Sequence, residues 1–138
     1  MKGKGKPWYV LDSHAVLAWL EGEPGGVVLS GLLERAKFGD VLLSMCVVNL
    51  GEALYIIERE ESVQAVLMAL ATIDDLPVRQ VNASRELTLQ AAHYKALYRM
   101  SYADCFAMAL ARQLGALLVT GDPELRGQHE VELLWTGN

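Results

Sequence analysis

Only two cysteines, Cys46 and Cys105, occur in the 138 residues. They form no Cys-x-x-Cys pair, which argues against a disulfide framework and leaves buried free thiols as the expected state. No apolar run reaches the roughly eighteen residues that a membrane span needs. The N-terminus MKGKGKPWYV is basic, but its apolar stretch is short, runs straight into a strand pattern and lacks a small-residue cleavage site. It therefore does not read as a signal peptide, and a cytoplasmic address is the expectation. Basic residues are in deficit, with 12 Lys and Arg against 17 Asp and Glu and a formal charge of −5. That balance excludes a broad basic surface gripping duplex nucleic acid. It suits a chain that collects acids to hold cations, or one with a basic partner, and composition does not choose between them. There is no internal repeat, low-complexity tract or dividing linker. A single domain over residues 1–138 is expected, with residues 1–6 as a mobile basic arm.

Apolar residues make up 52% of the chain and mean hydropathy is +0.21, enough for a sizeable core and too much for disorder. Residues 8–11 (WYVL) form an aromatic and β-branched run that reads as a strand ending at Asp12 and Ser13, both good helix N-caps. A short helix follows over 15–20. Pro24 suits the first turn of an amphipathic helix over 27–38, with Val28, Leu29, Leu32, Leu33 and Ala36 on one stripe and Gly39 ending it. Strands are predicted at 41–43, 78–81, 116–120 and 131–135. Helices are predicted at 47–59, after Ser62 to about Asp74, from Asn82 or Ser84 to Arg99, and from Tyr102 to Leu114. The alternation predicts an α/β domain with a mainly parallel sheet of four to five strands and helices on both faces. Sites in such sheets form at the carboxyl ends of strands. Asp12 directly follows the first strand, and Asp122 lies two residues after Thr120 at the end of the fourth.

Four acids stand out, and each also has a structural use. Asp12 is placed to cap a helix, Asp122-Pro123 to open a turn, and Asp104 to close a capping box with Ser101. Glu52 shares a helix face with Gly51, Tyr55, Glu58 and Arg59, a solvated pattern. The combination carries more weight than any member. Two acids end strands, Asp104 opens the helix CFAMALA, and Glu52 sits within the apolar segment NLGEALYII. Carboxylates converging at the strand ends would repel one another unless a cation held them ionised, and all-oxygen ligation suits Mg²⁺ or Mn²⁺ rather than zinc.

The segments VLDSHAVLAWLEGE, NLGEALYII and SYADCFAMALARQLGALLVTGDPEL resemble the motif blocks of the PIN-domain family, particularly its VapC-type toxins. The resemblance covers nearly the whole chain and keeps the order Asp12, Glu52, Asp104, Asp122. Thr120-Gly121-Asp122 matches the family's Thr-x-Asp. One departure is Leu125, where the family often has phenylalanine, an apolar exchange at a packing position.

The resemblance implies a three-layer α/β/α sandwich and a metal-dependent endoribonuclease, the toxin of a toxin–antitoxin pair, leaving 5′-phosphate and 3′-hydroxyl ends. Asp12, Asp104 and Asp122 are then the expected ligands of Mg²⁺ or Mn²⁺, and Glu52 a ligand or the group that orients the attacking water. Ser13 and Thr120 are candidates to hold these carboxylates by hydrogen bonds, with Asn49 a weaker one. Lys95 and Arg99, four apart on one predicted helix, and Arg112 and Arg126 are candidate phosphate contacts, although each also reads as a solvated charge. The three histidines show no metal-ligand spacing; His14 is near Asp12 in sequence. Expected partners are an RNA substrate, a small antitoxin protein and a second copy in a homodimer. The antitoxin's basic, amphipathic tail is expected to pack near Trp19 and Leu20. The intact acid set argues against a catalytically silent scaffold that binds RNA or protein. A receiver-like domain would need paired acids after the first strand and a lysine near the last strands, and no lysine follows Lys95. An aspartate phosphatase would need Asp-x-Asp where this chain has Asp12-Ser13-His14.

Overall fold

The computed structural model describes residues 5–137, so residues 1–4 of the expected basic arm lie outside the described residues. Five strands and six helices alternate: β1 (Trp8–Leu11), α1 (Ser13–Leu20), α2 (Gly26–Lys37), β2 (Leu42–Cys46), α3 (Val47–Glu60), α4 (Val63–Asp74), β3 (Arg79–Val81), α5 (Arg85–Leu97), α6 (Tyr102–Leu114), β4 (Leu117–Thr120) and β5 (Leu133–Trp135), with a 3₁₀ turn at Pro123–Gly127 after β4. The strands form one sheet in the order β3-β2-β1-β4-β5, and every neighbouring pair is parallel.

The sheet is covered on both faces because its strands are apolar on both. Successive strand residues point to opposite sides. Val10, Cys46 and Leu118 join one core with Leu87, Ala91, Tyr94 and the buried face of α6. Their neighbours Leu11, Met45 and Val119 join another with Ala15, Leu29, Leu32, Leu33, Leu50 and Ile73. The result is the expected α/β/α sandwich. Both cysteines are free and buried, and burial raises both thiols, that of Cys105 to about 11. Neither is poised as a nucleophile.

Serines start three of the helices. Ser62 accepts from Ala65 N–H at 3.0 Å, Ser84 from Leu87 N–H at 3.1 Å and Ser101 from Asp104 N–H at 3.1 Å. Of the predicted boundaries that shift, three have a plain physical reason. β2 runs on to Cys46 because Ser44, Met45 and Cys46 pair with β3. Pro24 precedes α2, whose N-cap is Gly25. α5 stops at Leu97: Tyr98 is extended at φ −123°, ψ 150°, and the chain turns away so that Met100 is buried. Lys95 and Arg99 therefore do not share a helix face.

The turn between α1 and α2 is closed by contact between backbones. A Cβ on Gly26 would lie 2.6 Å from Trp19 Cα and 2.8 Å from Ala18 O, whereas nothing lies within 4 Å of one on Gly31 in the same helix. Gly26→Ala is expected to destabilise the fold by about 1–3 kcal/mol through overpacking. Gly31→Ala should stabilise by a few tenths to about 1 kcal/mol through helix propensity. Urea denaturation of the two variants measures both, and equal effects would contradict the close approach at Gly26.

Candidate metal centre

β1 lies in the middle of the sheet. Its chain leaves towards β2 on one side, and only much later does β4 add on the other. That reversal opens a crevice between the carboxyl ends of β1 and β4, the place where open α/β sheets bind ligands. Asp12 and Asp122 stand there, one after each strand.

Asp12 is fully buried and caps α1, its Oδ1 accepting from Ala15 N–H at 2.8 Å. Its Oδ2 is buried with no hydrogen-bond partner. The buried Thr120 side chain neighbours both acids: its hydroxyl oxygen accepts from Asp122 N–H at 3.0 Å, and its proximity favours the charged form of the Asp12 carboxyl. Asp122 in turn caps the 3₁₀ turn, its Oδ1 accepting from Glu124 N–H at 2.9 Å.

Asp104 reaches the same crevice from the first turn of α6, its N–H donated to the Ser101 cap. Asn49 fixes the start of that helix: fully buried on α3, it donates to Ala103 O at 3.0 Å. Glu52, one turn further along α3, accepts from the Ser13 hydroxyl. Oxygens of Asp104, Asp122 and Glu124 lie within 4.8 Å of one another. Glu124 is not among the predicted site residues, and the sequence offers Asp122-Pro123 beside it as turn chemistry. The available signal is an acid two residues after Asp122, on a turn too tight to carry it away.

Burial sets the electrostatics. Desolvation raises Asp12 to about 6, opposed by hydrogen bonds from Thr120 and the Ala15 N–H and by the nearby His14. Asp104 rises further, to about 8, by desolvation first, then by its hydrogen bond to Asp122 when protonated and by the charges of Asp122, Asp12 and Glu52. The other three predicted acids thus all act on the Asp104 carboxyl. With both ionised, Asp12 and Asp104 each keep a buried oxygen, Oδ2, that no protein group satisfies. Unpartnered anionic oxygens, an all-oxygen donor set and two carboxyls that resist ionisation fit a hard divalent cation.

The basic candidates are placed differently from one another. Lys95 is exposed in the last turn of α5 and Arg99 is exposed in the connection to α6, both at the end of α6 that carries Asp104. Arg112 does not reach the cluster. It lies eight residues beyond Asp104, roughly 12 Å along the helix, and pairs with Glu130 at 3.1 Å. Arg126, in the 3₁₀ turn, stacks its guanidinium 3.9 Å from the centre of the Trp135 ring. His14 is exposed beside Gly121, where a Cβ would lie 3.0 Å from its imidazole Cε1. Trp19 packs partly buried against the α1–α2 core and donates Nε1–H to Ser30 at 3.1 Å.

A carboxyl whose folded-state pKa is raised stabilises the fold below its unfolded value, and that contribution is lost as pH rises through the folded value. For Asp12 and Asp104 the loss runs from about pH 4 to about 6 and about 8 respectively. Thermal unfolding in EDTA should therefore show the midpoint falling across this window. Added Mg²⁺ should restore it, most strongly near the upper end, where both ligands are ionised. Asp104→Asn should flatten the upper part of the fall. An unchanged pH profile in that variant would contradict the assignment.

Comparison with known proteins returns one family. The model of the PIN domain matches residues 9–128. No curated protein matches the chain. Among solved structures, VapC20 of Mycobacterium tuberculosis, described as a sarcin–ricin loop cleaving toxin, superposes with a TM-score of 0.65 at 17% identity, over 90% of this chain and 98% of that one. VapBC2 of Rickettsia felis, bound to a DNA fragment from its promoter, gives a TM-score of 0.70 at 14% identity over 91% and 96%. VapBC-1 of nontypeable Haemophilus influenzae gives 0.69 at 15% over 94% and 98%. At these identities the structures speak for the fold, while the family model spans the strand that ends at Asp12, the helix opened by Asp104 and the turn capped by Asp122. The chain belongs to the PIN-domain family.

Proposed function

We propose that this protein is a Mg²⁺- or Mn²⁺-dependent endoribonuclease acting as the toxin of a toxin–antitoxin pair. The observation that carries the reading is the pair of buried carboxylate oxygens, Asp12 Oδ2 and Asp104 Oδ2, left without protein partners beside Asp122 at the crevice. Solved neighbours of the same fold include a toxin that cleaves the sarcin–ricin loop and VapBC assemblies, which favours RNA as the substrate class.

Asp12, Asp104 and Asp122 are the proposed ligands. A bound divalent cation would supply the positive charge that lets an anionic phosphodiester approach these carboxyls, and would acidify water for in-line attack. Glu52, held by Ser13, is placed to ligate or to accept a proton from the attacking water. Thr120 ties the backbone of Asp122 to the end of β4, and Asn49 holds the α6 N-terminus that carries Asp104. Lys95 and Arg99 are the cations placed to meet the RNA backbone at that end, and Arg126 flanks the Asp122 turn. A silent scaffold has no use for two unsatisfied buried carboxylates, which cost free energy without a cation.

The partners follow from the surface. Val63 and Leu67, one turn apart on α4, are 54% and 63% exposed, with Met68 beside them at 73%, the apolar surface proposed to bury a second copy. An antitoxin tail would place a basic side chain in the acidic crevice, competing with metal, and its apolar residues beside Leu20; Trp19 is already engaged with α2. No helix among the described residues is long and apolar enough to cross a membrane.

Purified protein should cleave RNA with Mg²⁺ or Mn²⁺, and EDTA should abolish cleavage. Asp12→Asn should retain the fold, because asparagine also caps helices, yet lose more than about a hundredfold in rate; supporting residues of metal sites alone already cost 10–100-fold. Full activity in that variant would overturn the mechanism. In sedimentation, the wild type should run as a dimer at micromolar concentration and Leu67→Glu as a monomer. A wild-type monomer would remove the proposed role of α4.

A further inference from the structure

The acids of the crevice do not form one even ring. Asp12 and Glu52 belong to its inner side, linked through Ser13, which follows one and bonds the other. On the outer side, one oxygen each from Asp104, Asp122 and Glu124 comes within 4.8 Å of the other two. Oxygens sharing one divalent cation are at most about twice the metal–oxygen distance apart, roughly 4.2 Å for Mg²⁺ and nearer 5 Å for Ca²⁺. The outer group is therefore close to ligating distance before any ion draws it in, and Glu124 is exposed and free to complete the approach.

Acidic neighbours on a surface are not in themselves a site. Here a second observation points to a ligand: Asp104 is only 3% exposed, and its Oδ2 meets no donor in the protein. The turn that presents Glu124 is also fixed. Leu125 is fully buried and donates its N–H to Asp122 O at 3.1 Å, while the Glu124 N–H is tied to Asp122 Oδ1. Glu124 thus follows a cap and precedes an anchor, and its carboxyl is held on the rim above Asp104 and Asp122.

We propose that Glu124 is a metal ligand of this protein, so that a divalent cation is held by Asp104, Asp122 and Glu124 at the outer edge of the crevice. The inference rests on the metal-dependent reading of the site and adds a carboxylate to it. A fifth acid strengthens the field that gathers cations and places one of them within reach of solvent. It also makes the rim more repulsive to RNA in the absence of metal.

Calorimetric titration of Mn²⁺ into the metal-free, full-length chain tests this without reference to activity. Glu124→Gln keeps the side chain's shape and the backbone N–H that donates to the Asp122 cap, so the turn is preserved. The variant should bind Mn²⁺ about tenfold more weakly, or with one ion fewer, while its metal-free thermal midpoint stays at the wild-type value. Glu86→Gln, in the first turn of α5 and outside the outer group of acids, should change nothing. If wild type binds Mn²⁺ and Glu124→Gln binds it equally well, Glu124 is no ligand although the metal site stands. If wild type itself takes up no Mn²⁺ or Mg²⁺, the metal-dependent reading and this inference fall together.

Discussion

The repulsion among carboxyls in a crevice from which water is largely excluded is the constraint around which this molecule is arranged. Asp12 and Asp104 sit where ionisation is opposed by burial and by each other's charge. The fold tolerates this because the acids are fixed by backbone that has other reasons to be where it is. β1 and β4 are inner, mutually paired strands of a parallel sheet covered on both faces, and their ends cannot move apart without opening both cores. The strain is electrostatic and local, and the scaffold that bears it is apolar and extends across the whole domain.

Capping and metal binding are commonly offered as competing accounts of an acid at the start of a helix. Here one side chain does both. Asp12 gives Oδ1 to α1 and keeps Oδ2 for the crevice. Asp122 gives Oδ1 to the 3₁₀ turn while its carboxyl faces Asp104. The cap sets the side-chain rotamer, and the rotamer aims the second oxygen. Asp104 uses the complementary device, in which Ser101 does the capping and leaves both carboxylate oxygens of the first-turn acid uncommitted to the helix end. Thr120 adds a tie from a strand end, its hydroxyl oxygen fixing the backbone of Asp122 beside Asp12.

Most of the architecture was legible because its signals are local. Strand runs ending at Asp12 and Thr120, serine caps at 62, 84 and 101, and a continuous apolar face on α6 each specify an element without knowledge of the rest. Boundaries were misread where distant contacts decide. β2 is lengthened by pairing with β3, and α5 is cut short by the burial of Met100. The same limit explains the basic residues: the sequence spaces Lys95 and Arg99 as helical neighbours, but a break at Tyr98 separates them, and helix length alone carries Arg112 away from Asp104. Glu124 was hidden for the opposite reason. Its local signal, a turn after proline, explains it well enough that only the approach of Asp104 from a different helix reveals a second use.

The register that aligns Leu11 with Val119 also dictates when the molecule becomes complete. Asp12 is made long before Asp122, its neighbour across the crevice. Pairing of such widely separated strands is slow and cannot precede the later one's emergence. Until β4 has emerged, a nascent chain therefore carries the first acid, the α3 acid and much of the α1–α4 layer without possessing a crevice. Whatever chemistry the crevice performs is withheld until that late strand has been made and paired, a delay that comes from topology and requires no inhibitor.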